Sequence, residues 1–234
     1  MIVLALRLFV NEPASWVHTK RDSDELGSLR KLFTPPLRRR TLGGLFSAMA
    51  LMVGGFAATT YIPSWIADMS RGIATPSQIT SYVSYFAMLL NGGAALGYIS
   101  LIWLTRSRLG RRGSYFVFVL GSIAMSVITY TTVHSTHGVL WVAALVGFFM
   151  LGGFGIFAVY LPELFPTDVR ATGQGIVFNF SRIVTGVGTL VAGSLVGPLG
   201  GYPHAALLVS LAFIFGLFTI WIAPETRGWT LAHR

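Results

Sequence analysis

The chain has 234 residues, of which 53% are hydrophobic and 11% charged, with a mean hydropathy of +0.68. A soluble domain carries about 25% charged residues, so this composition belongs to an integral membrane protein. The net charge of +9 would suggest nucleic acid in a soluble protein, but the basic residues here sit in short loops flanking apolar runs, and the absence of cysteine removes disulfides and thiolate metal sites.

Residues 1–10, MIVLALRLFV, are apolar apart from Arg7. Crossing a bilayer takes about 20 such residues, so they cannot span alone. They do not read as a signal peptide either, because Asn11-Glu12-Pro13 follows where a small-residue cleavage site belongs. Residues 11–40 are polar and basic, with a short helix predicted near Asp24–Phe33 and a stop at Pro35-Pro36; they read as a linker on the cytoplasmic side. Six apolar spans follow, at about 41–67, 79–104, 114–133, 138–161, 173–197 and 204–223, and a tail occupies 224–234. The expected fold class is an all-α membrane protein, a six-transmembrane-helix bundle.

Orientation follows from the basic residues. One set of loops holds the linker, Arg106, Arg108, Arg111, Arg112, Arg170, Arg227 and Arg234, whereas the opposite set holds only Arg71. The positive-inside rule then places both termini in the cytoplasm and the loops 134–137 and 198–203 outside. His134 and His137 share one external loop, but no further metal ligand is near them, so they read as a solvated loop.

The spans contain few polar groups. Counted from Gly173, Arg182 lies about nine residues, or roughly 13 Å, into a core of ~30 Å, too deep for comfortable snorkelling. Gly175, Asn179, Arg182 and Gly186 recur at helical spacing and form one stripe, predicted to face a cavity. The carboxylates Asp68, Glu163, Asp168 and Glu225 fall near span ends. Arg182 must therefore meet an anionic substrate, an acid outside this chain, or backbone carbonyls that it braces. In the second span, Ser81, Ser84, Tyr85, Met88, Asn91 and Ala95 line one face, which makes Tyr85 and Asn91 candidates for substrate contact or for a polar helix–helix contact. The glycine pairs Gly93/Gly97 and Gly193/Gly197 predict close helix packing. Tyr61 and Trp65 read as interfacial aromatics.

The stretch Tyr160–Phe180, YLPELFPTDVRATGQGIVFNF, puts a short charged turn between two apolar runs. Its Pro162, Glu163, Phe165, Pro166, Arg170 and Gly173 resemble the P-E-x-F-P-x-x-x-R-x-x-G signature between the tenth and eleventh helices of sugar-porter-like major facilitator transporters. Val10–Trp16 is similar to the P-E-S-P-x-W sequence after the sixth helix of that family, with Glu12 and Trp16 in place. Arg108, Gly110, Arg111 and Arg112 fit part of G-x-x-x-D-R-x-G-R-R/K, with Trp103 standing for the glycine and Ser107 for the aspartate. Pro224-Glu225-Thr226-Arg227-Gly228 is similar to the P-E-T-K/R-G after the twelfth helix. The chain is thus identified as a C-terminal major facilitator half, closer to metabolite:proton symporters than to hexose porters because the first span lacks Q-x-x-S-G-x-N.

That resemblance implies two inverted three-helix units, with residues 1–10 as the end of a preceding transmembrane helix and an N-terminal six-helix half to complete the site. It implies alternating-access transport of a small polar solute, an organic acid or sugar-like metabolite, across the inner or plasma membrane. Proton coupling would draw on an acid in the other half. It implies no enzyme chemistry and no cofactor. Arg108, Arg111, Arg112 and Arg170, with Glu163 and Glu225, would form a cytoplasmic gate; the same arginines could instead be topology charges alone. A transport-incompetent membrane protein with a structural or regulatory role stays open as the alternative.

Overall fold

Within a bilayer every backbone N–H and C=O must find its partner inside the protein, so long apolar runs fold as helices. The computed structural model describes residues 29–35 and 37–228. The helix end expected at 1–10, residues 11–28 of the expected linker and residues 229–234 of the expected tail lie outside the described residues. Among the described residues the structure is helical, without strands, and six helices are long and apolar enough to cross a membrane. These spans are Leu37–Met69, Pro76–Leu104, Gly110–Thr132, Thr136–Leu164, Arg170–Leu195 and Tyr202–Thr219.

Local chemistry sets several of the helix starts. Thr75 and Gln78 form a reciprocal cap at the head of the second span, with the Gln78 N–H donating to Thr75 Oγ1 and the Thr75 N–H donating to Gln78 Oε1 at 2.8 Å. Pro76 follows at the first helical position, where its missing N–H costs nothing. Ser135 Oγ accepts from the Gly138 N–H at 3.1 Å to start the fourth span.

Two spans are interrupted. The first runs as an α-helix from Leu37 to Met52, widens into a π turn at Val53–Ala57, and resumes at Ala58–Thr60 and Ile62–Met69. The fourth runs from Thr136 to Val146, widens at Gly147–Leu151, tightens at Gly152–Phe154 and resumes at Gly155–Leu164. The two π turns touch. Thr59 Oγ1 donates to the Gly55 carbonyl at 2.7 Å and Thr60 Oγ1 to the Phe56 carbonyl at 2.6 Å, which supplies donors to the carbonyls of the widened turn.

The first span is the centre of the bundle. It packs against the fifth and sixth spans and meets the fourth, while the fourth lies on the second and the sixth on the third. Leu51, Phe118, Met150, Phe157 and Phe213 fill the space between them. In its most apolar stretch the first span is 71% buried, against 28% for the second and 22% for the fifth. The second and fifth spans therefore each present a long face that no described residue covers.

Glycines set how closely helices approach. A Cβ at Gly97 would lie 2.5 Å from the Phe148 carbonyl oxygen and one at Gly152 would lie 2.7 Å from the Gly97 Cα, so the second and fourth spans cross backbone to backbone. The pair Gly193/Gly197 does not do the same. The fifth span ends at Leu195, which leaves Gly197 in the connection with open space around it, and Gly193 faces the Tyr61 hydroxyl. Tyr61 and Trp65, read as interfacial aromatics, both have partners inside the bundle. Trp65 is buried beside Tyr130, ring centroids 5.9 Å apart, and the Tyr61 hydroxyl donates to the Thr189 carbonyl at 2.8 Å.

Candidate functional site

At the end of the bundle that carries most of the arginines, three separate segments meet in one polar cluster. Arg111, in the first turn of the third span, donates from Nε to Glu163 Oε2 at 3.0 Å and from Nη2 to Glu163 Oε1 at 2.6 Å. This two-pronged pair is well shielded, with 15% and 10% of the two side chains exposed. The remaining Nη1 donates to the Thr105 carbonyl at 2.6 Å, and Thr226 Oγ1 donates to Glu163 Oε2 at 2.5 Å. Charge-assisted, planar contacts of this kind are the strong ones.

Glu225 plays a different part. Its Oε1 accepts the Arg111 N–H at 2.9 Å and its Oε2 accepts the Arg112 N–H at 3.0 Å, so a carboxylate sits on the N-terminus of the third span, where the helix dipole favours it. The turn into that helix passes through Gly110 at φ +68°, a left-handed conformation open to glycine. A Cβ at Gly110 would also lie 2.9 Å from Glu225 Oε2. Tyr160 is buried and its hydroxyl donates to the Pro224 carbonyl at 2.7 Å, which fastens the C-terminal segment to the fourth span. Arg170 donates from Nε to the Phe165 carbonyl at 3.2 Å, and Lys31 pairs with Asp168.

Of the expected gate residues, the structure therefore joins Glu163, Glu225 and Arg111 directly and brings the Arg112 backbone onto Glu225. Arg170 holds the neighbouring turn. Arg108 is exposed and makes no ion pair with a described residue. Ser107, standing where the resembling motif carries aspartate, turns inward to donate from Oγ to the Leu104 carbonyl at 2.6 Å.

The expected substrate residues lie elsewhere, at mid-depth. Arg182 is twelve residues from Arg170 and thirteen from Leu195, at the middle of the fifth span. It is exposed and bonds to no described residue, and its stripe is bare, since a Cβ at Gly175 or Gly186 would meet nothing within 4 Å. Asn179, also exposed, turns its amide nitrogen back to the Gly175 carbonyl at 2.8 Å. Asn91, in the middle of the second span, does the same to the Ala87 carbonyl at 2.8 Å, and Tyr85 is exposed on that face. In both asparagines this leaves the side-chain oxygen as an acceptor without a partner among the described residues.

The structure does not bring the two stripes into contact. The first and fourth spans, with their π turns, lie between them. The stretch between the stripes carries an aromatic pair, exposed Phe56 beside Phe154 with ring centroids 5.0 Å apart. Sequence reading overlooked this pair; Gly54-Gly55 and the glycine cluster at 147–155 were the available sign, because π turns gather where glycine relaxes the helix and frequently mark functional positions. Thr226 was likewise overlooked beside its better-marked neighbour Glu225. At the far end of the bundle, His137 packs its ring edge-on to Tyr82 at 5.6 Å, and no group of three His, Cys, Asp or Glu side chains forms a metal site among the described residues.

Comparison with known proteins identifies the family. Residues 9–233 match the family described as Sugar (and other) transporter. A protein of Cupriavidus pinatubonensis described as a probable 4-methylmuconolactone transporter is 27% identical over 229 residues, which cover 97% of this chain and 51% of that protein. The niacin transporter NiaP of Acinetobacter baylyi is 24% identical over 205 residues, covering 87% of this chain and 45% of its own length. The cis,cis-muconate transport protein of the same organism is 26% identical over 206 residues, covering 83% and 47%. The chain thus spans about half the length of these relatives.

Proposed function

Because the chain belongs to the sugar (and other) transporter family of the major facilitator superfamily, we propose that it supplies one six-helix half of a secondary active transporter for a small carboxylate. The observation that carries this reading is Arg182, a cation at mid-span with no bonding partner among the described residues. Ionisable groups at that depth in a membrane protein mark substrate or ion pathways. The described carboxylates, Asp68, Glu163, Asp168 and Glu225, all lie at span ends, so none supplies the missing charge. Asn179 beside it, Asn91 and Tyr85 across the face, and the Phe56–Phe154 pair between them offer polar acceptors and an apolar wall, which suit a small anion with a flat body. Niacin and cis,cis-muconate, the solutes named for two relatives, are carboxylates of that kind.

The second half of the carrier is a further six-helix bundle that covers the bare faces of the second and fifth spans and closes the site at the midplane. Transport is coupled to protons, with the titrating acid in that second half, since no described Asp, Glu or His stands at mid-span here. The Arg111–Glu163–Thr226 cluster ties the third span, the fourth span and the C-terminal segment into one body on the cytoplasmic side, so this half moves as a unit when the gate opens. Uptake into proteoliposomes holding both halves tests the substrate class. Nicotinate should be accumulated under an inward proton gradient and lose that drive with an uncoupler, and excess nicotinamide, which keeps the ring without the charge, should fail to compete. Equal competition by the amide would mean that charge is not what the site reads.

The orientation has its own test, made simple by the absence of native cysteine. His134 and Arg106 are both exposed, at opposite ends of the bundle. On intact cells a membrane-impermeant maleimide should label His134→Cys and leave Arg106→Cys unlabelled until the membrane is opened. The reverse pattern would invert the topology.

A further inference from the structure

Two arginines converge on the end of the sixth span. Arg39, at the start of the first span, donates from Nε to the Ile222 carbonyl at 2.8 Å. Arg112, at the start of the third, donates from Nη2 to the carbonyls of Trp221, at 3.3 Å, and Ala223. Each guanidinium has donors to spare, since a guanidinium carries five N–H groups. The two Nη groups of Arg39 bond to no described residue, and the Nε of Arg112 is buried without an acceptor.

Among the described residues no carboxylate forms an ion pair with these two arginines, and the single charge of Glu225 leaves the corner with cations in excess. The ion pairs among the described residues are Lys31–Asp168, Arg71–Asp68 and Arg111–Glu163, and none includes Arg38, Arg39, Arg108 or Arg112. Glu225, the nearest acid in sequence, is occupied by the backbone N–H groups of Arg111, Arg112, Thr226 and Arg227. The charge stands directly above apolar surface. The Arg112 guanidinium carbon lies 5.7 Å from the centre of the Trp221 ring, and Trp221, Phe218 and Ile222 face outward from the bundle.

We propose that this corner binds the headgroup of an anionic phospholipid, with the phosphate on Arg39 and Arg112 and the acyl chains along the outward face of the sixth span. Basic clefts between helix ends at a bilayer surface attract such headgroups. A guanidinium pairs with phosphate through two parallel N–H bonds, and the corner holds two of them. The apolar face below them separates a lipid from a soluble phosphate: Trp221, Phe218 and Ile222 have no use for an ion in water but are a natural wall for its chains. Capping of the sixth helix by the two arginines accounts for the bonds to residues 221–223 and leaves the Nη donors of exposed Arg39 and the stacking of Arg112 on Trp221 unexplained.

Native mass spectrometry of the purified full chain, titrated with phosphatidylglycerol or phosphatidylcholine, tests this. The wild-type chain should retain phosphatidylglycerol preferentially. Arg39→Gln, an exposed change, should weaken that binding about fivefold, and the Arg39→Gln/Arg112→Gln pair about 30-fold. Phosphatidylcholine binding should not move, and Arg71→Gln at the opposite end should leave both unchanged. An undiminished preference for phosphatidylglycerol in folded Arg39→Gln overturns the proposal, whether or not the double variant folds. Complete displacement of the lipid by an equal concentration of inorganic phosphate overturns it too, in favour of a soluble anion.

Discussion

Arg182→Gln in the complete transporter should lower carboxylate uptake on the order of 10²-fold and leave the protein in the membrane at near wild-type abundance. The first half of that expectation rests on the loss of a desolvated, charge-assisted contact whose partner is then left unpaired. The second rests on depth: a charged side chain at the centre of a span costs about 2.5–3.5 kcal/mol on insertion, so glutamine makes the fifth span easier to insert. Arg182→Lys should fall between the two, since it keeps the charge and loses the planar fork. Initial rates of labelled nicotinate uptake, normalised to the amount of protein in the membrane, check all three. An arginine that only braced an acid of the other half behaves differently. Arg182→Gln would then strand a buried carboxylate and reduce abundance before it reduces transport, and Arg182→Lys, which keeps the charge, would do so to a smaller degree.

Glu163→Ala should cost the bundle about 3–5 kcal/mol, the usual effect of breaking a shielded ion pair by removing one partner. The geometry supports the upper part of the single-substitution range. Arg111 spends two of its nitrogens on Glu163 and is 15% exposed, so the substitution leaves a guanidinium in place with the Thr105 carbonyl as its remaining acceptor. Thr226, fully buried, loses the acceptor of its hydroxyl at the same time. Unfolding of the detergent-solubilised protein in a rising mole fraction of dodecyl sulfate measures the loss. Arg111→Lys should cost less, because the charge stays close to Glu163 while the two-pronged contact goes. A Glu163→Ala protein as stable as wild type would mean that the cluster adds nothing to the body it ties together.

The bundle itself was legible in the sequence because each span is a long apolar run bounded by charges or by a turn, and the bilayer leaves helix as the one solution for such a run. Arg182 could be placed near the middle of its helix by counting from Gly173, and on one exposed stripe by the spacing of Gly175, Asn179 and Gly186. Side-chain direction elsewhere was harder. Trp65 stands near the end of an apolar span, where tryptophan often marks the bilayer surface, and the breaks at Val53–Ala57 and Tyr61 leave its helical phase unreadable from the sequence; its indole packs inward on Tyr130. Hydropathy does not record such breaks, since the same residues are apolar in either register. Glu163 and Arg111 could be named from motifs but not joined, because their 52-residue separation is closed by the packing of the third and fourth spans and by nothing local.

Equilibrium binding of nicotinate to the purified complete transporter, wild type against Arg182→Gln, tests the central claim most directly because it is blind to insertion, coupling and gating. Titration calorimetry on well-folded protein should give saturable binding to the wild type, at least tenfold weaker binding to Arg182→Gln, and little difference between the two for nicotinamide. Nicotinate bound with undiminished affinity by Arg182→Gln would contradict the account and return Arg182 to a bracing role.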